Sequence, residues 1–169
     1  MGYRRAMTDD ELRAELRTLD IDEGSWRTVL LLPLVHVAWA DGKIQPQEAE
    51  RIRQAAHEMG VPESGLARVQ AWLQSKPNEA SLMHSKRLIV ALAQRHRGLG
   101  ADLSSDTPSR VLALCEKVAE AAGGLFDLAF TVDANERRVL TELAHSLRVA
   151  EDVWLDDLPS PPGGQWEEL

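Results

Sequence analysis

The sequence predicts an all-α protein, and three observations carry that prediction. Apolar residues recur at three- and four-residue spacing through most of the chain, and helix start and stop signals bracket those stretches. No segment sustains the period-two alternation of β-branched residues that a half-buried strand needs. The chain has 169 residues, 44% apolar and 27% charged, which is ordinary globular usage and length enough to bury one core. The expected organisation is a peripheral N-terminal helix within residues 1–24, a helical domain over 25–155 and a Pro/Gly-rich tail over 156–169.

Thr8 followed by Glu11 is a capping box, and it opens a short polar helix to about Thr18 with Leu12, Leu16 and Leu19 turned to one side. From Trp26 to Ala40 nearly every position is apolar, which predicts a central helix enclosed on most sides and kinked where Pro33 removes a donor. Asp41-Gly42 ends it. Pro46 suits the first position of the next helix, whose stripe Ala49, Ile52, Ala55, Ala56, Met59 runs until Gly60 stops it. Leu66, Val69 and Leu73 mark a further helix, Pro77-Asn78 breaks the chain, and Leu82, Met83, Ile89, Leu92 and Ala93 line a long one. Gly98 to Ser105 reads as a loop. Thr107-Pro108 starts a helix that ends at Gly123-Gly124, a short apolar link covers Leu125 to Phe130, and Asp133 caps a last helix lined by Val139, Leu140, Leu143, Ala144 and Leu147.

Twenty-seven acidic against nineteen basic residues give a net charge of −8, which repels phosphate backbones and favours cations and basic protein surfaces as partners over nucleic acid. The longest apolar run, Val29 to Ala40, is interrupted by Pro33 and His36 and falls short of the roughly 20 residues of a membrane span. Direct membrane insertion is therefore not expected. The first residues lack an apolar segment followed by a cleavage site, so the expected location is the cytoplasm. The lone Cys115 lies on the stripe Val111, Leu114, Cys115, Val118, Ala122 and is read as a packing residue.

Lys43 to Val61 aligns without gaps on Thr131 to Val149, pairing Glu48 with Glu136, Ala56 with Ala144, His57 with His145 and Val61 with Val149. Ile44/Val132, Ile52/Leu140 and Met59/Leu147 keep apolar character, so core stripe and leading acid coincide in what reads as a duplicated unit. The segment VAWADGKIQPQEAERIRQAAHEMGV resembles the first repeat of the TerB-like family, the tellurite-resistance-associated helical domain, with its ADG-x-I-x-x-x-E bend. AAGGLFDLAFTVDANERRVLTELAHSL resembles the second. The likeness runs from Trp26 to Val149 and implies a compact bundle of about seven helices in two pseudo-symmetric halves. It also implies an association with metal stress and with membrane- or chaperone-associated complexes, and acids at the bends that bind divalent cations. Carried over residue by residue, those acids are Asp41 and Glu48 in the first half and Glu136 in the second, with Asp133 beside it. Ala122 stands where the second repeat would offer its own Asp, so a cation site is expected on one side only.

The residues themselves leave two readings of the bends open. Glu48 lies four residues before Ile52, on the same side of the helix and over the preceding loop, and Glu136 stands in the same relation to Leu140. A carboxylate there caps the first turn, and Asp133-x-x-Glu136 is itself a capping-box pattern. The other reading is a divalent-cation site built from Asp41, Glu48 and nearby carbonyls. A full EF-hand is not expected, because the earlier ligand positions fall on Val37 and Trp39, which offer no side-chain oxygen to a cation needing about 6–8 ligands.

Nothing in the chain announces catalysis. There is no GxSxG elbow, phosphate-cradling glycine loop or HExxH run. His36 in its apolar helix is expected to be a hydrogen-bonded core histidine, His57 and His145 belong to solvated faces, and His84 and His96 are too far apart to share a metal. The expectation is a non-catalytic binding or adaptor module that engages protein partners, its alternative a divalent-cation binder or sensor at the Asp41–Glu48 bend. Trp166 in the tail and Trp154 before it are candidate partner anchors, with Trp72 as a further exposed aromatic. The plainer reading of the tail folds it back on its own domain or leaves it unattached.

Overall fold

The computed structural model describes residues 7–123 and 134–147, and among them every regular element is helical. The α-helices are α1 (Asp9–Thr18), α2 (Leu32–Ala38), α3 (Pro46–Glu58), α4 (Glu63–Gln74), α5 (Glu79–Ala93), α6 (Thr107–Gly123) and α7 (Ala134–Ser146), with 3-10 turns over Glu23–Leu31 between α1 and α2. None of these helices is long and apolar enough to cross a membrane.

Local chemistry accounts for the boundaries. At the start of α1 the Glu11 amide donates to Thr8 Oγ1 at 3.2 Å and the Thr8 amide donates to Glu11 Oε2 at 2.8 Å, the reciprocal bonds of a capping box. α1 is anchored at both ends: Leu12 and Leu16 belong to the main core, Arg95 holds the Met7 carbonyl and the Asp9 carboxylate, and Glu15 meets His84 Nδ1 of α5 at 2.7 Å. α3 begins at Pro46, whose missing N–H costs nothing in a first turn, and stops at Gly60, which takes φ +73°.

The apolar stretch expected as one kinked helix from Trp26 to Ala40 is not continuous. It forms 3-10 turns to Leu31, irregular at Ser25, and only then the α-helix α2, with Pro33 in its first turn. An α-helix running through Pro33 would drive the proline ring into the carbonyl four residues back, and the chain avoids this by restarting. Burial is as expected: every residue of α2 is buried, and the helix serves as the axis on which α3, α5, α6 and α7 pack.

The two halves echo one another across this axis. The alignment of the internal repeat carries Pro46–Glu58 onto Ala134–Ser146, so α3 and α7 have corresponding ends and the same thirteen-residue length. Ile52, Ala55 and Ala56 are buried in one and Leu140, Leu143 and Ala144 in the other, while His57 and His145 are exposed. α3 packs mainly on α6, and α7 packs on both α6 and α2. Cys115 is fully buried in α6, where burial pushes its thiol far above the ordinary range, in keeping with a packing role.

Candidate functional site

The first acidic bend is built by the end of α2 and the start of α3. After Trp39 the chain turns through Ala40 and Asp41, and the Gly42 amide donates to the Trp39 carbonyl at 2.8 Å with Gly42 at φ +87°, a conformation that suits glycine alone. This turn leaves Asp41 and Lys43 exposed and returns the chain to Gln45, from which α3 starts. Glu48, three residues on, points back: its Oε1 accepts the Gln45 amide at 2.9 Å. The capping role is therefore present in the first bend.

Glu48 is nonetheless an unusual cap, because it is 1% exposed and its other oxygen, Oε2, is buried with no hydrogen-bond partner among the described residues. Burial is the main influence on its acidity. Opposed by the Gln45 amide and reinforced by the Asp41 carboxylate, burial pushes Glu48 up from 4.5 to about 7. Asp41 and Glu48 are thus electrostatic neighbours, as their spacing implied. Among the described residues no three His, Cys, Asp or Glu side chains converge in an arrangement that could hold a metal ion, so any cation here would rely on backbone carbonyls and water for its remaining ligands.

Asp133 lies outside the described residues, as do Trp154 and Trp166, and Glu136 falls in the first turn of α7. Trp72, expected as an exposed anchor, is 8% exposed and part of the core; its backbone carbonyl accepts the Trp39 indole N–H at 2.9 Å. α4 turns this residue inward because Val69 and Trp72 share the helix face that packs on the 3-10 turns. Met83, read from the sequence as facing inward on the α5 stripe, is instead the large apolar side chain that stands out among the described residues, 61% exposed.

His36 also departs from expectation. It is buried, but its Nε2 has no hydrogen-bond partner among the described residues. Burial, countered by Glu79 and assisted by Lys76 and Lys86, pushes it from 6.5 to about 4, so it is a neutral core side chain at physiological pH.

A second surface feature was not anticipated. Beside α6 runs a groove of about 400 Å³ whose lining includes the apolar Leu30, Met59, Leu103 and Leu114 and the basic Arg27, Arg110 and Lys117. Arg27 lies over the Trp26 ring at 4.7 Å and is ion-paired to Asp102, whereas Arg110 and Lys117 are exposed without an ion-pair partner among the described residues. Glu58 is the acid among the lining residues. The net charge of −8 pointed to basic partners, yet this one groove is locally cationic. Part of it was legible, since Arg110, Leu114 and Lys117 recur at three- and four-residue spacing along α6. The contributions of Arg27, Met59 and Leu103 come from distant parts of the chain and needed the fold.

No family model, curated protein or solved structure matches this chain.

Proposed function

We propose that the chain is a non-catalytic binding module of the TerB-like type, an adaptor in a cytoplasmic stress-response or membrane-associated complex, and that it receives an acidic, apolar-anchored segment of a protein partner in the groove beside α6. The observation that carries this reading is the groove itself: an apolar floor with two exposed cations on α6 that have no ion-pair partner among the described residues suits a segment that alternates carboxylates with large apolar side chains. The repeat-related helices α3 and α7 and the acidic bend are what support the TerB-like part of the reading. The test is capture of partners by the wild-type chain and by Arg110→Glu/Lys117→Glu. Both positions are exposed, so the variant keeps its helical circular dichroism and unfolding midpoint while losing its partners. An unchanged set of captured proteins would show that recognition lies elsewhere.

A second reading, divalent-cation binding at the first bend, is favoured by one specific observation, the unpartnered buried Oε2 of Glu48 next to the Asp41 charge. A cation there would stabilise the ionised carboxylate that burial disfavours. Its test is thermal unfolding of the wild type and of Glu48→Gln with chelator and with added calcium, magnesium or zinc. A ligand at a hundred times its Kd adds about 2.7 kcal/mol, and the gain is expected in the wild type only. Equal midpoints for every ion would dispose of the cation.

A further inference from the structure

Residues 148–169 hold six acids, Glu151, Asp152, Asp156, Asp157, Glu167 and Glu168, against Arg148 as the one basic residue. Among them stand Val153, Trp154, Leu155, Leu158 and Trp166. This is the composition that the α6 groove selects: carboxylates for Arg110 and Lys117, and large apolar side chains for a floor that includes Leu30, Met59, Leu103 and Leu114. Most of the chain's net negative charge therefore sits in one terminal segment, and the exposed cations of α6, without an ion-pair partner among the described residues, sit in one groove.

The point at which the described chain ends places the two together. Leu147 lines a shallow depression together with Pro108 and Ser109, in the first turn of α6. Thr107 and Arg110 of that same turn line the groove. Leu147 thus lies at the N-terminal turn of α6, round the helix from the groove. From Thr107 to Lys117 the helix rises about 15 Å at 1.5 Å per residue, and the seven residues from Leu147 to Trp154 reach as far as roughly 23–25 Å when extended. Trp154 and the acids around it are within reach of the whole groove without a long linker.

We propose that the acidic segment 148–169 occupies the α6 groove of its own chain, as an internal ligand held by Arg110 and Lys117. This rests on reading the groove as a peptide surface. It adds a regulatory consequence, because a short tether gives the segment an effective concentration in the millimolar range and an incoming partner must displace it. Weakening the tail's acids then strengthens partner binding instead of abolishing it.

The test uses zero-length carbodiimide coupling of lysines to carboxylates in the purified full chain, kept dilute and analysed as monomer. The chain has four lysines, Lys43, Lys76, Lys86 and Lys117, so the pattern of linked peptides is easily read. The expected result is coupling of acids from the 151–168 stretch to Lys117 above the other three lysines. That product should be lost in Arg110→Glu, which leaves Lys117 in place, and in 1 M salt, where charge attraction is screened beyond about 3 Å. Coupling spread evenly over the four lysines, or none from the tail, would overturn the proposal. So would links found only between differently isotope-labelled copies, which would assign the tail to a second molecule. No partner is present in this experiment, so its failure leaves the capture result of the adaptor reading intact. Loss of capture with Lys117 coupling retained would instead retire that reading alone.

Discussion

His36 and Glu48 are both buried ionisable residues with an unpartnered polar atom, and they answer the same physical problem from opposite sides. Each is neutralised by burial, which moves the histidine down to about 4 and the glutamate up to about 7. The difference lies in where each sits. His36 is in the middle of α2, the axis of the bundle, where the nearest charges, Glu79, Lys76 and Lys86, partly offset one another. Glu48 is at the mouth of a bend, tied to a backbone amide on one oxygen and pressed by the Asp41 carboxylate. The histidine's transition lies below physiological pH, and the glutamate's falls within it. Of the two, only the bend can change charge under ordinary conditions.

The largest expected effect is on the pH dependence of stability, and it has opposite signs at the two sites. For His36 the folded value lies below the unfolded 6.5, so the unfolded chain binds the extra proton between about 4 and 6.5 and stability rises with pH across that window. For Glu48 the folded value lies above the unfolded 4.5, so the folded chain holds the extra proton between 4.5 and about 7 and stability falls as pH rises. At its steepest each contributes about 1.4 kcal/mol per pH unit, and where the windows overlap they oppose one another. Urea unfolding from pH 4 to 8 should therefore separate the variants. Glu48→Gln keeps an oxygen for the Gln45 amide, since glutamine serves equally as the third residue of a capping box, and should show a rise with pH on the order of 3 kcal/mol relative to the wild type. His36→Met should show the reverse slope relative to the wild type. If Glu48→Gln follows the wild-type profile, the Glu48 carboxylate titrates normally and the contrast between the two sites collapses.

The same contrast shows what the sequence could and could not reveal. The bend was readable, because Asp41-Gly42, Pro46 and Glu48 are local signals whose geometry is decided within one turn of helix, and the Gln45–Glu48 bond bears them out. The bounds of α1, α3 and the correspondence between α3 and α7 were readable for the same reason. What escaped depends on tertiary context. The break into 3-10 turns before Pro33 trades one regular helix for packing against α1, α4 and α5. The burial of Trp72 is set by where α4 lands, and the missing partner of His36 by what happens to surround α2. The cationic groove is the extreme case, since an overall acidic composition conceals a local excess gathered from separate stretches of chain.

The smallest expected effect is the one that tests the bend as a unit. Asp41 is exposed, and its like charge is the last-ranked influence on Glu48, behind burial and the Gln45 amide. Asp41→Asn should lower the Glu48 midpoint from about 7 while leaving it above 4.5, because burial is untouched. Carboxyl-carbon NMR on glutamate-labelled protein reads that midpoint directly. An unchanged midpoint would mean that the two acids do not sense one another, and a fall to the ordinary value would mean that charge repulsion, not burial, governs the site. The variant also separates the two uses of the bend. A structural cap involves no ion, so wild type and Asp41→Asn should each melt alike in chelator and in added ion; a cation site needs both carboxylates, so Asp41→Asn should lose the stabilisation that an added ion gives the wild type. Asp41 is the residue on which capping and cation binding make different demands, although its charge is the smallest of the influences on the acidity of its neighbour.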